Sequence, residues 1–202
     1  SEKPSGTGLS VNAILGVNGS VISLDWNKPD PVKYSALGIP VPDGFTITTG
    51  ACQDFLRAGG LSEDLLAQID SAIFELEAKI GKSFGDPKNP LLVSVRSGAK
   101  FSMPGMMETV LNVGMSKEVA ATLESITGDS RFAWDSYRRF IEMFGKTVCD
   151  IPSEVFAKAS APLIEVSGGK TIADLDGPAL RKVGDAYVAV VEKHTGTEFP
   201  FD

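Results

Sequence analysis

A chain of 202 residues, 43% hydrophobic and 22% charged, is long and apolar enough to bury a core, as one domain or as two small lobes. Its net charge of −7 speaks against a nucleic-acid groove or an anionic membrane surface as partner, since both attract an excess of cations. One histidine and two distant cysteines, Cys52 and Cys149, exclude a structural zinc cluster, and no apolar run has the length to span a bilayer.

Residues 1–10 are polar and rich in Ser and Gly, which predicts a loose arm. Residues 1–12 lack the basic start and apolar centre of a signal peptide. Together with thiols that pair most simply with nothing, this points to the reducing cytoplasm. Ser1 stands where an initiating Met is expected, which implies processing or an excised piece. Val11 to Trp26 reads as two short strands around Gly16-Val17-Asn18-Gly19, whose Asn-Gly is a hairpin-turn signal. Asn27-Lys28-Pro29-Asp30-Pro31 then breaks any regular element.

Residues 39–49 predict a buried strand entered through Pro40 and Pro42, with Phe45 and Ile47 alternating. Thr49 or Gly50 caps a helix that runs through Phe55 and Leu56 to Gly59-Gly60. Cys52 near that start reads either as a reactive thiol or as a small buried filler. Ser62, followed by Asp64, Leu65, Leu66, Ile69, Ile73, Leu76 and Ile80 at helical spacing, predicts a second helix ended by Gly81. Gly85 to Pro90 is a turn.

The apolar run Leu91-Leu92-Val93-Ser94-Val95 ends at a cation, Arg96, and a Ser/Gly/Ala turn and the apolar loop Met103-Pro104-Gly105-Met106-Met107 follow. A buried strand that delivers an arginine beside a glycine loop suits an anionic, phosphorylated ligand. The same residues also read as an edge-capping arginine and methionines tucked into a core. From Ser116 onward periodic segments at 117–126, 130–144, 153–165 and 177–194 predict helices, separated by Gly128-Asp129, Gly145 to Pro152 and Gly168-Gly169. A β-rich first half and a helical second half make the class α+β. Ser167-Gly168-Gly169-Lys170-Thr171 imitates the end of a phosphate loop. The position that must be glycine is Ile164, however, so a solvated turn is the better reading. His194, at the end of a helical pattern, reads as a solvated histidine.

Three stretches in order resemble one family, pyruvate phosphate dikinase, in its nucleotide-binding domain: Leu37-Gly38-Ile39-Pro40-Val41-Pro42-Asp43-Gly44-Phe45-Thr46-Ile47-Thr48-Thr49, then Ser94 through Met107, then Arg131 through Gly145. Gly196, Phe199 and Pro200 fit as well, so the resemblance covers roughly residues 35 to 202. It implies the first lobe of an ATP-grasp domain at 1–115 and a small helical subdomain at 116–202. In the complete enzyme, phosphoryl groups pass from ATP through a histidine to phosphate and pyruvate, giving AMP, pyrophosphate and phosphoenolpyruvate.

By the same resemblance Arg96 faces the phosphates of ATP. Ser102, Met103, Gly105, Met106 and Met107 form the loop over them, with Gly105 permitting close backbone approach. Magnesium ligands are expected outside this chain, in a later lobe. The partners implied are the nucleotide, the remaining domains of a longer polypeptide and a second subunit of the full enzyme.

Two departures stand out. Where the family carries a Gly-Gly-Lys-Gly loop and a helix, this chain has Asp25 to Tyr34 with two prolines, so that Lys28 is either a solvated loop residue or a substitute phosphate ligand. The family's phosphohistidine lies in a Thr-Ser/Cys-His-Ala-Ala-type motif that His194 does not match. The chain by itself is therefore expected to be inactive, and a non-catalytic nucleotide-binding or regulatory module is the competing reading.

Overall fold

A computed structural model describes residues 10–14, 43–47, 49–98 and 109–199. Two compact units divide the chain. The first takes its described residues from 10–84 and 92–109, the second from 85–91 and 110–199. The mixture of strands and helices is α+β, and none of the described helices is long and apolar enough to cross a membrane.

In the first unit, strand β1 (Ser10–Ile14) pairs antiparallel on one side with β2 (Gly44–Ile47) and on the other with β5 (Val93–Gly98). The strand expected at 39–49 is thus seen at 44–47, with Phe45 and Ile47 half-buried, while the Asn-Gly hairpin lies outside the described residues. Helix α1 (Thr49–Ala58) and helix α2 (Glu63–Ile80) follow. Ser62 caps α2 by accepting from Leu65 N at 3.2 Å, and Gly81 ends it with φ 72°, a backbone state that costs glycine little. Phe45 and Ile47 line a cleft of about 520 Å³ together with Phe55, Leu61, Leu65 and Ile69 of and between these helices. Lys79, at the end of α2, pairs with Asp43 at the entrance to β2. Glu77 accepts a hydrogen bond at 2.6 Å from Phe84 N, in the two-residue strand β3 (Ser83–Phe84).

The second unit holds β4 (Pro90–Leu91), most of β6 (Thr109–Val113), and helices α3 (Lys117–Thr127), α4 (Ser130–Thr147), α5 (Ser153–Val166) and α6 (Gly177–Thr195). A 3₁₀ turn, Ile172–Asp174, precedes α6. Side-chain oxygens of Ser116, Asp129 and Asp176 accept from Val119 N, Phe132 N and Ala179 N, which satisfies amides that the first turns of α3, α4 and α6 leave open. Helices α4 and α6 pack most closely, with α3 against α4 and α5 against α6. Trp134, Tyr137, Phe140 and Ile141 of α4 meet Leu180, Val183, Tyr187 and Val191 of α6 in the buried core, which α5 joins through Phe156.

Two glycines lie inside helices at points of close packing. Gly145, expected to separate two helices, lies within α4, which runs on to Thr147, and a Cβ there would stand 2.5 Å from Phe156 Cζ. A Cβ at Gly184 would stand 2.7 Å from Tyr137 Cδ1. The Tyr137 ring is buried and abuts Trp134 edge-on, with centroids 5.9 Å apart. Its phenol is pushed up to about 12 by burial first, then by Asp185 and Glu118. Gly184→Ala is therefore expected to destabilise the protein by about 1–3 kcal/mol in urea unfolding. An unchanged midpoint would show that the ring yields.

Candidate functional site

The sequence pattern placed Arg96 at the end of a strand. The structure carries β5 two residues further, because Ser97 and Gly98 find register partners in Val11 and Ser10. Arg96 is thus held within a ladder, opposite Asn12, which in turn stands opposite Thr46. Residues directly opposed across strands share a face, and neighbours along a strand alternate. The register therefore sets Arg96 on the sheet face opposite the one on which Phe45 and Ile47 line their cleft.

Arg96 is half-buried, and its Nε is buried with no hydrogen-bond partner among the described residues. Partial burial lowers its pKa from the ordinary value, as expected of a guanidinium that has lost some of its water. Arginine keeps its proton regardless, so a positive charge and an unsatisfied donor stand together on this face. Phosphate oxygens match both needs, since a guanidinium donates two parallel hydrogen bonds to them. Of the site residues expected from sequence, Arg96 alone is described. Lys28, Ser102, Met103, Gly105, Met106 and Met107 lie outside the described residues.

The sites that the sequence argued against can also be placed. At Ser167–Thr171 the donors that a phosphate would need are already occupied. One carboxylate oxygen of Asp174 accepts from Lys170 N and Thr171 N, both at 2.9 Å, and from Thr171 Oγ1 at 3.2 Å. These bonds, Lys170 N first, hold the Asp174 pKa below its ordinary value. The stability they add is present above the ordinary carboxylate range and is lost as pH falls through the lowered value. The amide shifts of Lys170 and Thr171 are expected to titrate below the usual aspartate pKa of about 3.9. A midpoint at the usual value would rule out the capping role. His194 is exposed in the last turn of α6. Cys149 is half-buried, and burial pushes its thiol up, away from reactivity. Among the described residues no cluster of His, Cys, Asp or Glu could hold a metal.

The Arg131–Gly145 stretch lies in α4 and builds the helical unit. Arg131 donates to the carbonyls of Leu175 at 3.2 Å and Ala173 at 2.9 Å. Trp134 Nε1 donates to Glu124 at 2.8 Å, and Arg181 lies 4.8 Å above the same indole. Arg138 is buried between Asp135 and Glu142 on its own helix. Nothing in the sequence reading singled out Arg138. The signal was its two carboxylates at i−3 and i+4, the spacing at which helix neighbours meet.

Residues 61–160, which include Arg96, match the family described as pyruvate phosphate dikinase, AMP/ATP-binding domain. Pyruvate, phosphate dikinase of Giardia intestinalis is 44% identical over 81% of this chain and 19% of its own length. Pyruvate, phosphate dikinase 2 of Zea mays is 43% identical over 84% of this chain and 19% of its own. The Clostridium symbiosum enzyme is 43% identical over 83% of this chain and 20% of its own. The chain spans about one fifth of the length of these curated relatives.

Proposed function

Because the chain belongs to the pyruvate phosphate dikinase family, we propose that it contributes the first lobe of an ATP-grasp domain, in which Arg96 binds the phosphates of an adenine nucleotide. The observation that carries this reading is the buried Nε of Arg96, which has no hydrogen-bond partner among the described residues, on a strand of the sheet. Phosphoryl transfer asks of the protein mainly positioning and neutralisation of charge. A guanidinium fixed in a β-ladder supplies both without reorganising when the nucleotide arrives. In the same reading, Ser102 to Met107 covers the phosphates, Gly105 lets the backbone close in, and Met103, Met106 and Met107 give apolar cover. Lys28 is a candidate second cation. Magnesium would neutralise the phosphates further, held by carboxylates outside this chain. The overall reaction would be that of the family: ATP, phosphate and pyruvate to AMP, pyrophosphate and phosphoenolpyruvate.

The test is an NMR-detected titration with ATP. We expect weak binding, with Kd in the range of about 1 mM, for which the binding free energy is near −4 kcal/mol. Arg96→Met is expected to weaken it at least tenfold, about 1.4 kcal/mol, with the fold unchanged. Equal affinity of the variant would remove Arg96 from the site. A second reading, nucleotide binding without turnover, draws support from Asp25 to Tyr34, where two prolines replace the glycine loop and helix of the family pattern. Turnover separates the two only when the remaining domains are present, because this chain alone is expected to be inactive under either reading. Pyruvate- and phosphate-dependent AMP formation by the longer polypeptide supports the first reading, and nucleotide binding by that polypeptide without AMP formation the second.

A further inference from the structure

Helix α6 ends at Gly196, with φ 73°, yet the chain stays against the helical unit beyond that point. Thr197 N donates to Thr195 Oγ1 at 3.3 Å, and that hydroxyl donates to Val191 O at 2.9 Å. Two residues on, Phe199 N donates at 3.1 Å to Glu192 Oε1, a side chain one turn back on α6. The half-buried ring of Phe199 lies 5.5 Å from that of Phe144 at 62° and 6.1 Å from that of Phe140 at 42°. Phe140 and Phe144 are themselves 6.0 Å apart at 51°, so the three rings close a triangle of tilted pairs. Such tilted and edge-on arrangements are the ones that ring quadrupoles favour.

We infer that Gly196–Phe199 is a strap closed on α4, with Phe199 as its latch. The docked ring then holds the chain against α4 beyond the last turn of α6. Two sequence stretches more than fifty residues apart thereby gain a joint task, since Phe140 and Phe144 come from the Arg131–Gly145 stretch and Phe199 from the Gly196 stretch. The strap is built to open locally. It is tied by a hydroxyl bridge, an amide-to-carboxylate bond and ring contacts among others, and none of residues 196–199 belongs to a helix or strand. Segments held in this way open at lower free energy than the core on which they rest. Beneath the strap lies a core in which Ile141, Tyr187 and Val191 are fully buried.

Hydrogen exchange on the full chain tests this, comparing the wild type with Phe199→Ala and Phe199→Leu. The wild type should protect the amides of 197–199. Phe199→Ala should exchange them about tenfold faster or more, with α3 and α5 unchanged, and Phe199→Leu, which keeps an apolar plug, should recover most of the protection. Equal protection in the wild type and Phe199→Ala would show that the ring does not hold the strap. Loss of protection throughout α3 to α6, or failure of both variants to fold, would make Phe199 a core residue and would equally overturn the latch.

Discussion

Arg138→Ala is expected to destabilise the protein by about 3 kcal/mol or more, toward the 3–5 kcal/mol seen when one partner of a buried ion pair is removed. The Arg138 side chain is only 8% exposed. Its Nε and Nη2 donate to Asp135 Oδ1 at 3.0 and 2.8 Å, and its Nη1 to Glu142 Oε2 at 2.6 Å. Removing the guanidinium leaves Glu142 without this cation and Asp135 with the exposed Arg139, whose Nη1 lies 4.0 Å from Asp135 Oδ2. The exposures of Asp135 and Glu142, 23% and 29%, allow partial rehydration, which sets the expectation at the low end of the range. The stem of the side chain is lost as well, and with it packing against the helix. Arg138→Lys keeps the charge but not the planar fork and should lose an intermediate amount. Urea unfolding decides, and a loss under about 1 kcal/mol for Arg138→Ala would place the pair among weak surface bridges instead.

Phe156→Ala should cost about 3–5 kcal/mol, the range for deleting a buried aromatic ring whose surroundings cannot collapse. Phe156 is 1% exposed, its ring meets Tyr187 edge-on at 5.0 Å, and its tip fills the space that Gly145 leaves open. The deletion should be coupled to that glycine. Gly145→Ala alone pushes a methyl group to 2.5 Å from Phe156 Cζ and should cost about 1–3 kcal/mol. With Phe156 already truncated that clash is gone, and only the 3.1 Å approach to Val191 Cγ2 remains. The double variant should therefore be more stable than the sum of the two single changes predicts, by an interaction energy of about 0.5–3 kcal/mol. Strict additivity would mean that α4 and α5 are spaced by something other than this contact.

The helical unit was largely legible along the chain. Helices expected at 117–126, 130–144, 153–165 and 177–194 are seen at 117–127, 130–147, 153–166 and 177–195. The reason is local. An apolar residue every third or fourth position and a Ser or Asp accepting from the first turn act within a few residues of one another. The same holds for α2, bracketed by Ser62 and Gly81. Strands were harder to read. Two-residue β3 and β4 carry too little pattern to see, and β6 at 109–113 follows a stretch whose loop character masked it.

What composition, periodicity and motif determined by themselves was the α+β class, the caps of α2, the course of the later helices, and the place of Arg96 as a cation after an apolar run. What tertiary structure alone decided was how those pieces meet. Pairing with β1 carried the strand past Arg96 to Gly98 and turned the arginine to the face away from Phe45 and Ile47. The approach of Phe156 made Gly145 a site of close packing, not a helix stop. Caps and periodicities depend on neighbours three or four residues away, whereas register and close approach depend on partners that only the folded chain brings within reach.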